Sequence, residues 1–304
     1  MIAPSDIADA VAALRAGLLV ILPTETVYGL AADAVDPRAV AALYAAKGRP
    51  SFNPLIAHVA NLAGAEAIAH FDDRARALAK AFWPGPLTIV LPAKDGAVSD
   101  LARAGLDTVA VRVPSHPLAH AVLAAFAGPV AAPSANRSGR PSPTRYQDAV
   151  EETGRACAAA LDGGACAVGL ESTVVSVLSE VAILRPGAVT RAQIEAVVGP
   201  LAEAAEDGHR SPGRLTRHYA PSAPVRLDAE RAEPGEVFLG FGPGAADLNL
   251  SPSGDLAEAA ANLFTFLRQA DLRAPTAIAV APIPEHGLGE AINDRLRRAA
   301  GFVG

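Results

Sequence analysis

The sequence predicts an α/β protein with a large first domain and a smaller second one. Three observations carry this. Over the first 200 residues, short apolar runs of strand length alternate with segments of helical period. Residues 200–223 break that rhythm with Pro200, Pro212, Pro221, Gly208 and Gly213 and little apolar periodicity. A second, shorter alternation then begins at Val225. The length of 304 residues suits two domains of about 150 residues each. The predicted division is a first domain at 1–199, a linker or lid at 200–223, and a small domain at 224–304.

Each element follows from local chemistry. Residues 5–16 read as a helix with Ser5 as N-cap and Gly17 ending it. Residues 18–22 are a short apolar strand stopped by Pro23. Asp36 and Pro37 supply the N-cap and first position of a helix over 36–46. Residues 54–59 form a strand, and 72–82 a helix broken by Pro84-Gly85-Pro86. Strands follow at 87–91 and 108–113, then a helix at 116–126 and a short strand at 130–132. Ser142 and Pro143 start a helix that ends near Thr153. Residues 174–177 and 181–184 read as a strand pair. Thr190 and Gln193 form a capping box for a helix to Val198. Beyond the linker come strands at 225–227, 236–240 and 276–281 and helices at 255–269 and 288–300.

Composition excludes several classes. With 51% hydrophobic and 19% charged residues, the chain is neither disordered nor fibrous. No apolar run approaches the roughly 20 residues of a spanning helix, and no signal peptide is visible, so no membrane is involved. Cys157 and Cys166 belong to no C-x-x-C, which disfavours a disulfide framework or zinc site and makes a cytoplasmic location the expectation. A net charge of −6 argues against a generally basic nucleic-acid binder.

Four segments hold the polar chemistry. Pro23-Thr24-Glu25-Thr26-Val27-Tyr28 follows a buried strand; its two threonines and Glu25 can hydrogen-bond a small polar ligand, or the segment simply forms a turn whose hydroxyls cap backbone groups. Lys47-Gly48-Arg49-Pro50-Ser51-Phe52-Asn53 leaves a helix C-terminus, where cations suit the dipole; the same set also suits a phosphate ester. No acidic residue lies between Asp107 and Asp148, while Arg112, Arg137, Arg140 and Arg145 do. Arg112 sits inside an apolar strand and must either reach solvent or meet an anion. The small residues around Ser134 and Ser142 let an anion approach backbone N–H groups. The fourth segment joins Glu171-Ser172-Thr173 to Arg185-Pro186-Gly187; no G-x-S-x-G elbow surrounds Ser172, so ligand binding suits it better than nucleophilic attack. Gly240-Phe241-Gly242-Pro243-Gly244 reads as a tight turn. These residues point to a phosphorylated ligand without identifying a reaction.

Taken together and in order, PTETVYGL at 23–30, KGRPSFNPL at 47–55 with His58, FWPGPLT at 82–88, VAVRVP at 109–114, APSANRSGRPSPT at 132–144, ESTVVS at 171–176 and ILRPGAVT at 183–190 resemble the YrdC-like threonylcarbamoyl-AMP synthase family. SPGRLTRHYAP at 211–221 and the domain after it resemble the family's long two-domain form, although Arg214-Leu215-Thr216 departs from its usual pattern. The resemblance implies a YrdC-like twisted open sheet with helices and a Rossmann-like small domain. It implies that L-threonine, bicarbonate and ATP give threonylcarbamoyl-AMP and diphosphate, with Mg2+ arriving on the ATP. A downstream transferase would then modify tRNA beside the anticodon.

By motif, the resemblance assigns Thr26, His58, Arg112, Ala132 and Ser172 to L-threonine. It assigns Arg49, Asn53, Thr108, Ser134, Ser142, Arg185 and Tyr219 to ATP, with Lys47 and Arg49 as the catalytic cations. The cations and aromatic of Arg217-His218-Tyr219 suggest that the linker is a lid rather than a passive spacer. Two rival readings are an RNA-binding module without catalysis, with weak RNA binding on the fold's basic surface, and a carbamoyl-transfer domain that shares this fold.

Overall fold

The computed structural model describes residues 3–203 and 218–301. Arg214, Leu215, Thr216 and Arg217, singled out above, lie outside the described residues.

In chain order the first domain contains α1 (Ile7–Arg15), β1 (Leu19–Leu22), β2 (Gly29–Asp33), α2 (Pro37–Lys47), β3 (Ile56–His58), α3 (Leu62–Ile68) and α4 (Asp73–Phe82). It continues with β4 (Leu87–Pro92), β5 (Thr108–Arg112), α5 (Pro117–Phe126), β6 (Val130–Ala131), α6 (Tyr146–Thr153), β7 (Cys157–Ala160), β8 (Thr173–Ser176), β9 (Ala182–Arg185) and α7 (Arg191–Val198). The small domain contains β10 (Val225–Arg226), β11 (Val237–Gly240), β12 (Leu248–Asn249), α8 (Leu256–Asp271), β13 (Ile278–Val280) and α9 (Leu288–Ala300).

The first domain is built on one mixed nine-stranded sheet, in the order β7-β1-β2-β6-β3-β5-β4-β8-β9. The period of two splits every strand between two faces. Leu19, Ile21, Leu30, Ala57, Val109, Val111 and Val175 face the main core. On the opposite face, Val20, Leu22 and Ala31 pack beneath α1 and α5, with Val122 and Leu123 of α5 among their neighbours. Farther along that face Ile56, Val90, Ala110 and Val174 make a small apolar cluster, with Leu178 and Leu184 against it. Their strand neighbours His58, Arg112 and Ser172 are polar, and this half of the face carries the site.

Caps explain most helix starts. Asp36 caps α2 and Thr190 forms the predicted box with Gln193. Asp6, not Ser5, caps α1, because the Ser5 main chain and hydroxyl bond to Ala160 on the neighbouring strand. The helix expected from Ser142 begins only at Tyr146, with no side-chain cap, since the Ser142 hydroxyl donates to Glu171 instead. Four elements went unpredicted: β2, α3, β7 and β12.

The small domain has a four-stranded sheet, order β10-β13-β11-β12, with every pair parallel. Its core includes Leu263, Phe264, Ile278, Val280 and Leu296 and extends into the first domain through Val27 and Leu170. At Gly169 a Cβ would lie 2.5 Å from the Ala261 Cα, so α8 meets that loop backbone to backbone. Thr144 and Thr265 share a hydrogen bond of 2.9 Å, and Arg268 reaches Glu152 at 3.0 Å.

Candidate active site

The site lies where the β1–β2 connection, the segment after α2, and strands β3, β5, β8 and β9 converge. Its cavity is lined by Thr26, Arg49, His58, Arg112, Ala132, Ser134, Glu171, Ser172, Arg185, His218 and Tyr219, among others. Nine of the residues selected from sequence therefore meet in one place. Lys47, Asn53, Thr108 and Ser142 do not line it.

Arg112 resolves the question raised by its strand. It is almost wholly removed from solvent and meets an anion of the protein itself: Nη2 donates to Glu25 Oε1 at 2.6 Å. Nη1 donates to the Thr26 hydroxyl at 2.9 Å, and Nε to the Gly85 carbonyl at 3.2 Å. Burial alone would raise the Glu25 carboxyl, but the charge and hydrogen bond of Arg112 outweigh it and hold the group below its ordinary value. His58 stands opposite Arg112 in the β3–β5 register. Burial, reinforced by the Arg112 charge, pushes its imidazole down to about 3. His58 is thus neutral at physiological pH and can hydrogen-bond but not supply charge. Ser172 shares a hydrogen bond of 2.8 Å with Thr88, and its hydroxyl oxygen accepts from Arg185 at 3.3 Å.

The other half of the cavity is cationic. Arg49 leaves the left-handed Gly48 cap of α2, and Nη2 donates to the Pro54 carbonyl at 3.1 Å. Burial, with a contribution from Arg185, lowers Arg49 to about 10. The Arg185 guanidinium donates to the Ser172 carbonyl at 2.8 Å. Around these two, the selected residues outside the cavity wall act on its frame. Lys47 is buried, and its ammonium donates to the carbonyls of Ser134 and Asn136, fixing the loop that presents Ser134. The Asn53 carbonyl accepts from the Tyr44 hydroxyl at 2.9 Å and from Arg49. Thr108 is buried on β5 opposite Pro92. Ser142 donates to Glu171 Oε1.

His218 and Tyr219 close the cavity. Tyr219 is fully buried, edge-on to His218 with centroids 4.0 Å apart and 5.4 Å from Phe264 of α8. Burial, and then Arg49, Lys47, Arg185 and Arg295, hold the His218 imidazole neutral. About 50 Å3 remains, room for a few waters. A small-molecule cleft spans roughly 300–1,000 Å3.

The partnerships of Glu25, Glu171 and Arg295 were not legible in the sequence, and Glu25, read there as a possible ligand contact, is instead engaged by Arg112. Glu25 and Glu171 were visible in their motifs, yet the ion pairs they make cross 87 and 124 residues of chain. Arg295, the partner of Glu171, lies on α9 in no motif at all. The only signal for the two glutamates is that an acidic residue in an otherwise neutral or basic pocket needs a buried cation.

Both domains match known proteins. The Sua5–YciO–YrdC family model, described as telomere recombination, matches residues 12–187, and that of the threonylcarbamoyl-AMP synthase C-terminal domain matches residues 189–301. The threonylcarbamoyl-AMP synthase of Bacillus subtilis is 40% identical over 97% of this chain and 93% of its own. That of Pyrococcus abyssi is 40% identical over 95% and 92%. The crystal structure of P. abyssi Sua5 complexed with L-threonine superposes with a TM-score of 0.91 at 38% identity, covering 97% of this chain and 94% of that one. Across both domains, then, this chain belongs to the Sua5-type threonylcarbamoyl-AMP synthase family.

Proposed function

We infer that this protein makes threonylcarbamoyl-AMP from L-threonine, bicarbonate and ATP, releasing diphosphate. The observation that carries the reading is the joining, in one cavity, of an Arg112–Thr26–His58–Ser172 wall with the Arg49–Arg185 cation pair. The first wall suits an amino acid: a guanidinium for the carboxylate, neutral hydroxyls, and an uncharged imidazole. The second suits a polyphosphate.

The chemistry needs no covalent protein nucleophile. Threonine's amine adds to the carbon of bicarbonate with loss of water, giving a carbamate. A carbamate oxygen attacks the α-phosphorus of ATP. The bond to the bridging oxygen breaks, and diphosphate leaves with its electron pair. Arg49 and Arg185 neutralise charge on the transferring and leaving groups, while Arg112, Thr26 and Ser172 hold threonine in line. Ala132 and Ser134, which line the same cavity, are expected to contact threonine and ATP respectively. Lys47 contributes by fixing Ser134, and Asn53 and Thr108 by shaping the strand and loop that carry Arg49 and Arg112.

Mg2+ enters with ATP as part of that substrate. The carboxylates beside the cavity, Glu25 and Glu171, are each engaged by an arginine, a donor set that orients cations of the protein rather than ligating a metal. Both cysteine thiols are free and pushed up to about 12 by burial, in keeping with a cytoplasmic setting. The product passes to a transferase that modifies tRNA. The exposed Arg137 and Arg140 side chains, tethered by Glu152, offer RNA a weak, salt-dependent contact.

The test follows product formation with threonine, bicarbonate and ATP omitted in turn. Threonylcarbamoyl-AMP and diphosphate are expected only with all three. Turnover on carbamoyl phosphate, or RNA binding without any turnover, would overturn the reading in favour of its rivals.

A further inference from the structure

Arg295 belongs to the small domain, yet it makes its main contacts with the wall of the catalytic cavity. None of its side chain is exposed. Nε donates to Glu171 Oε2 at 2.9 Å, and Nη1 donates to the Pro186 carbonyl at 2.8 Å and to Asp294 at 2.7 Å. The guanidinium carbon lies 5.3 Å from the Tyr219 ring centroid. Three segments of the site therefore meet on one side chain.

Each contact leads to a residue of the cavity. Glu171 itself lines the cavity and accepts from Ser142, just outside the wall, with its other oxygen, so Arg295 and Ser142 grip one carboxylate from two sides. Pro186 follows Arg185, whose guanidinium reaches the Ser172 carbonyl. Tyr219 closes the cavity. Domain glue alone is a poor account of this arrangement. A buried ion pair rarely stabilises a protein more than apolar packing of the same shape. Nη2 is also buried without a hydrogen-bond partner among the described residues.

We propose that Arg295 is a positioning residue for the nucleotide half of the site. It sets Glu171 and hence Ser142, holds the Arg185–Pro186 turn, and seats the Tyr219 ring. The cavity is then complete only with α9 docked, and the small domain is part of the active site. The inference rests on the synthase reading only for the identity of ATP as ligand.

The test compares the full-length wild type with Arg295→Met, Arg295→Lys and the double variant R295M/E171Q. MgATP affinity is read by calorimetry, and KM values for ATP and threonine by product formation. R295M alone leaves Glu171 charged and unpaired, which endangers folding. The double variant removes that charge and keeps the packing. Losing charge-assisted bonds that orient a ligand group predicts ATP binding weakened about tenfold in the double variant, with the threonine KM within about twofold of wild type. R295K, which keeps the charge but lacks the fork, should fall between the two. Wild-type ATP affinity in a folded double variant, or equal rises in both KM values, would overturn the proposal. Because calorimetry does not depend on turnover, failure of the synthase reading would show separately, as ATP binding without product.

Discussion

Arg112, in the cavity wall, and Glu25, beside it, form an ion pair of 2.6 Å, with the Thr26 hydroxyl on the neighbouring guanidinium nitrogen. The pair is almost wholly removed from water, so each charge depends on the other. It also aims the guanidinium: with Nε on Gly85 and one edge on Glu25, the remaining N–H bonds have few directions left. A substrate carboxylate arriving at Arg112 meets a donor already oriented, which lowers the entropy lost on binding.

Replacing Arg112 by Ala should therefore have two separable effects. Threonine use should weaken by about 1.5–3 kcal/mol, roughly ten- to hundredfold in kcat/KM, with ATP affinity largely kept. Stability should also fall, because Glu25 is left buried and unpaired. Adding Glu25→Gln should restore stability without restoring threonine use. If the double variant regains a wild-type threonine KM, Arg112 serves only the fold.

Arg49→Ala and Arg185→Ala should abolish most adenylate formation while the fold survives. Each guanidinium is held by backbone carbonyls, at 3.1 Å to Pro54 and 2.8 Å to Ser172, so its removal leaves no buried carboxylate unpaired. Loss of one charge-assisted contact predicts about ten- to hundredfold in kcat/KM for ATP. Circular dichroism and product assays at low ATP check this together; full turnover by either variant would remove that residue from the phosphate site.

His58 predicts a dependence of stability on pH. Its unfolded imidazole takes a proton near 6.5, while burial and Arg112 delay this to about 3 in the folded protein. Between these values the unfolded chain binds one more proton, so stability falls as the pH is lowered, by at most about 1.4 kcal/mol per unit. Above 6.5 this group adds no slope. Buried His218 acts in the same direction, and Glu25, held low by Arg112, adds its own loss in the acidic carboxylate range. Urea midpoints of wild type and His58→Gln over this range measure the effect. Identical slopes in the two proteins would mean that His58 is protonated in the fold.

The sequence made some of this legible and hid the rest for identifiable reasons. Arg112 stood out because a cation in an alternating apolar strand demands a partner, but that partner, Glu25, is far away in the chain. Thr190 with Gln193, and Asp36 with Pro37, announced their helices because capping chemistry is local. The strands GLAAD and CAAA were missed because alanine and glycine carry no strand signal; their pairing with β1 and its neighbours makes them strands. Ser142 looked like a cap because Ser-Pro commonly opens a helix, yet a carboxylate from another segment takes its hydroxyl. Long-range ion pairs are what a single sequence conceals.

The linker yields the remaining prediction. Tyr219 has φ +62°, a left-handed backbone uncommon for a residue with a bulky side chain, and its ring is buried against His218 and Phe264. Packing thus holds it in a locally costly conformation. With about 50 Å3 left in the cavity that His218 and Tyr219 line, the lid reading expects these two residues to withdraw when ATP and threonine enter. Closing again would exclude water from the carbamate and the mixed anhydride. The Ala220 amide, which donates to Gly139 at 2.8 Å when the segment is seated, reports the motion directly. Its hydrogen exchange should slow further once ATP and threonine are bound. Tyr219→Ala should speed nucleotide exchange and divert turnover toward hydrolysed nucleotide. Truncation after residue 199 should lose most synthesis too, and it also exposes Val27 and Leu170, which pack into the small-domain core. Tyr219→Ala is therefore the cleaner test. A variant with unchanged nucleotide release and an unchanged ratio of product to hydrolysis, together with an Ala220 amide indifferent to substrates, would reduce the segment to a tether.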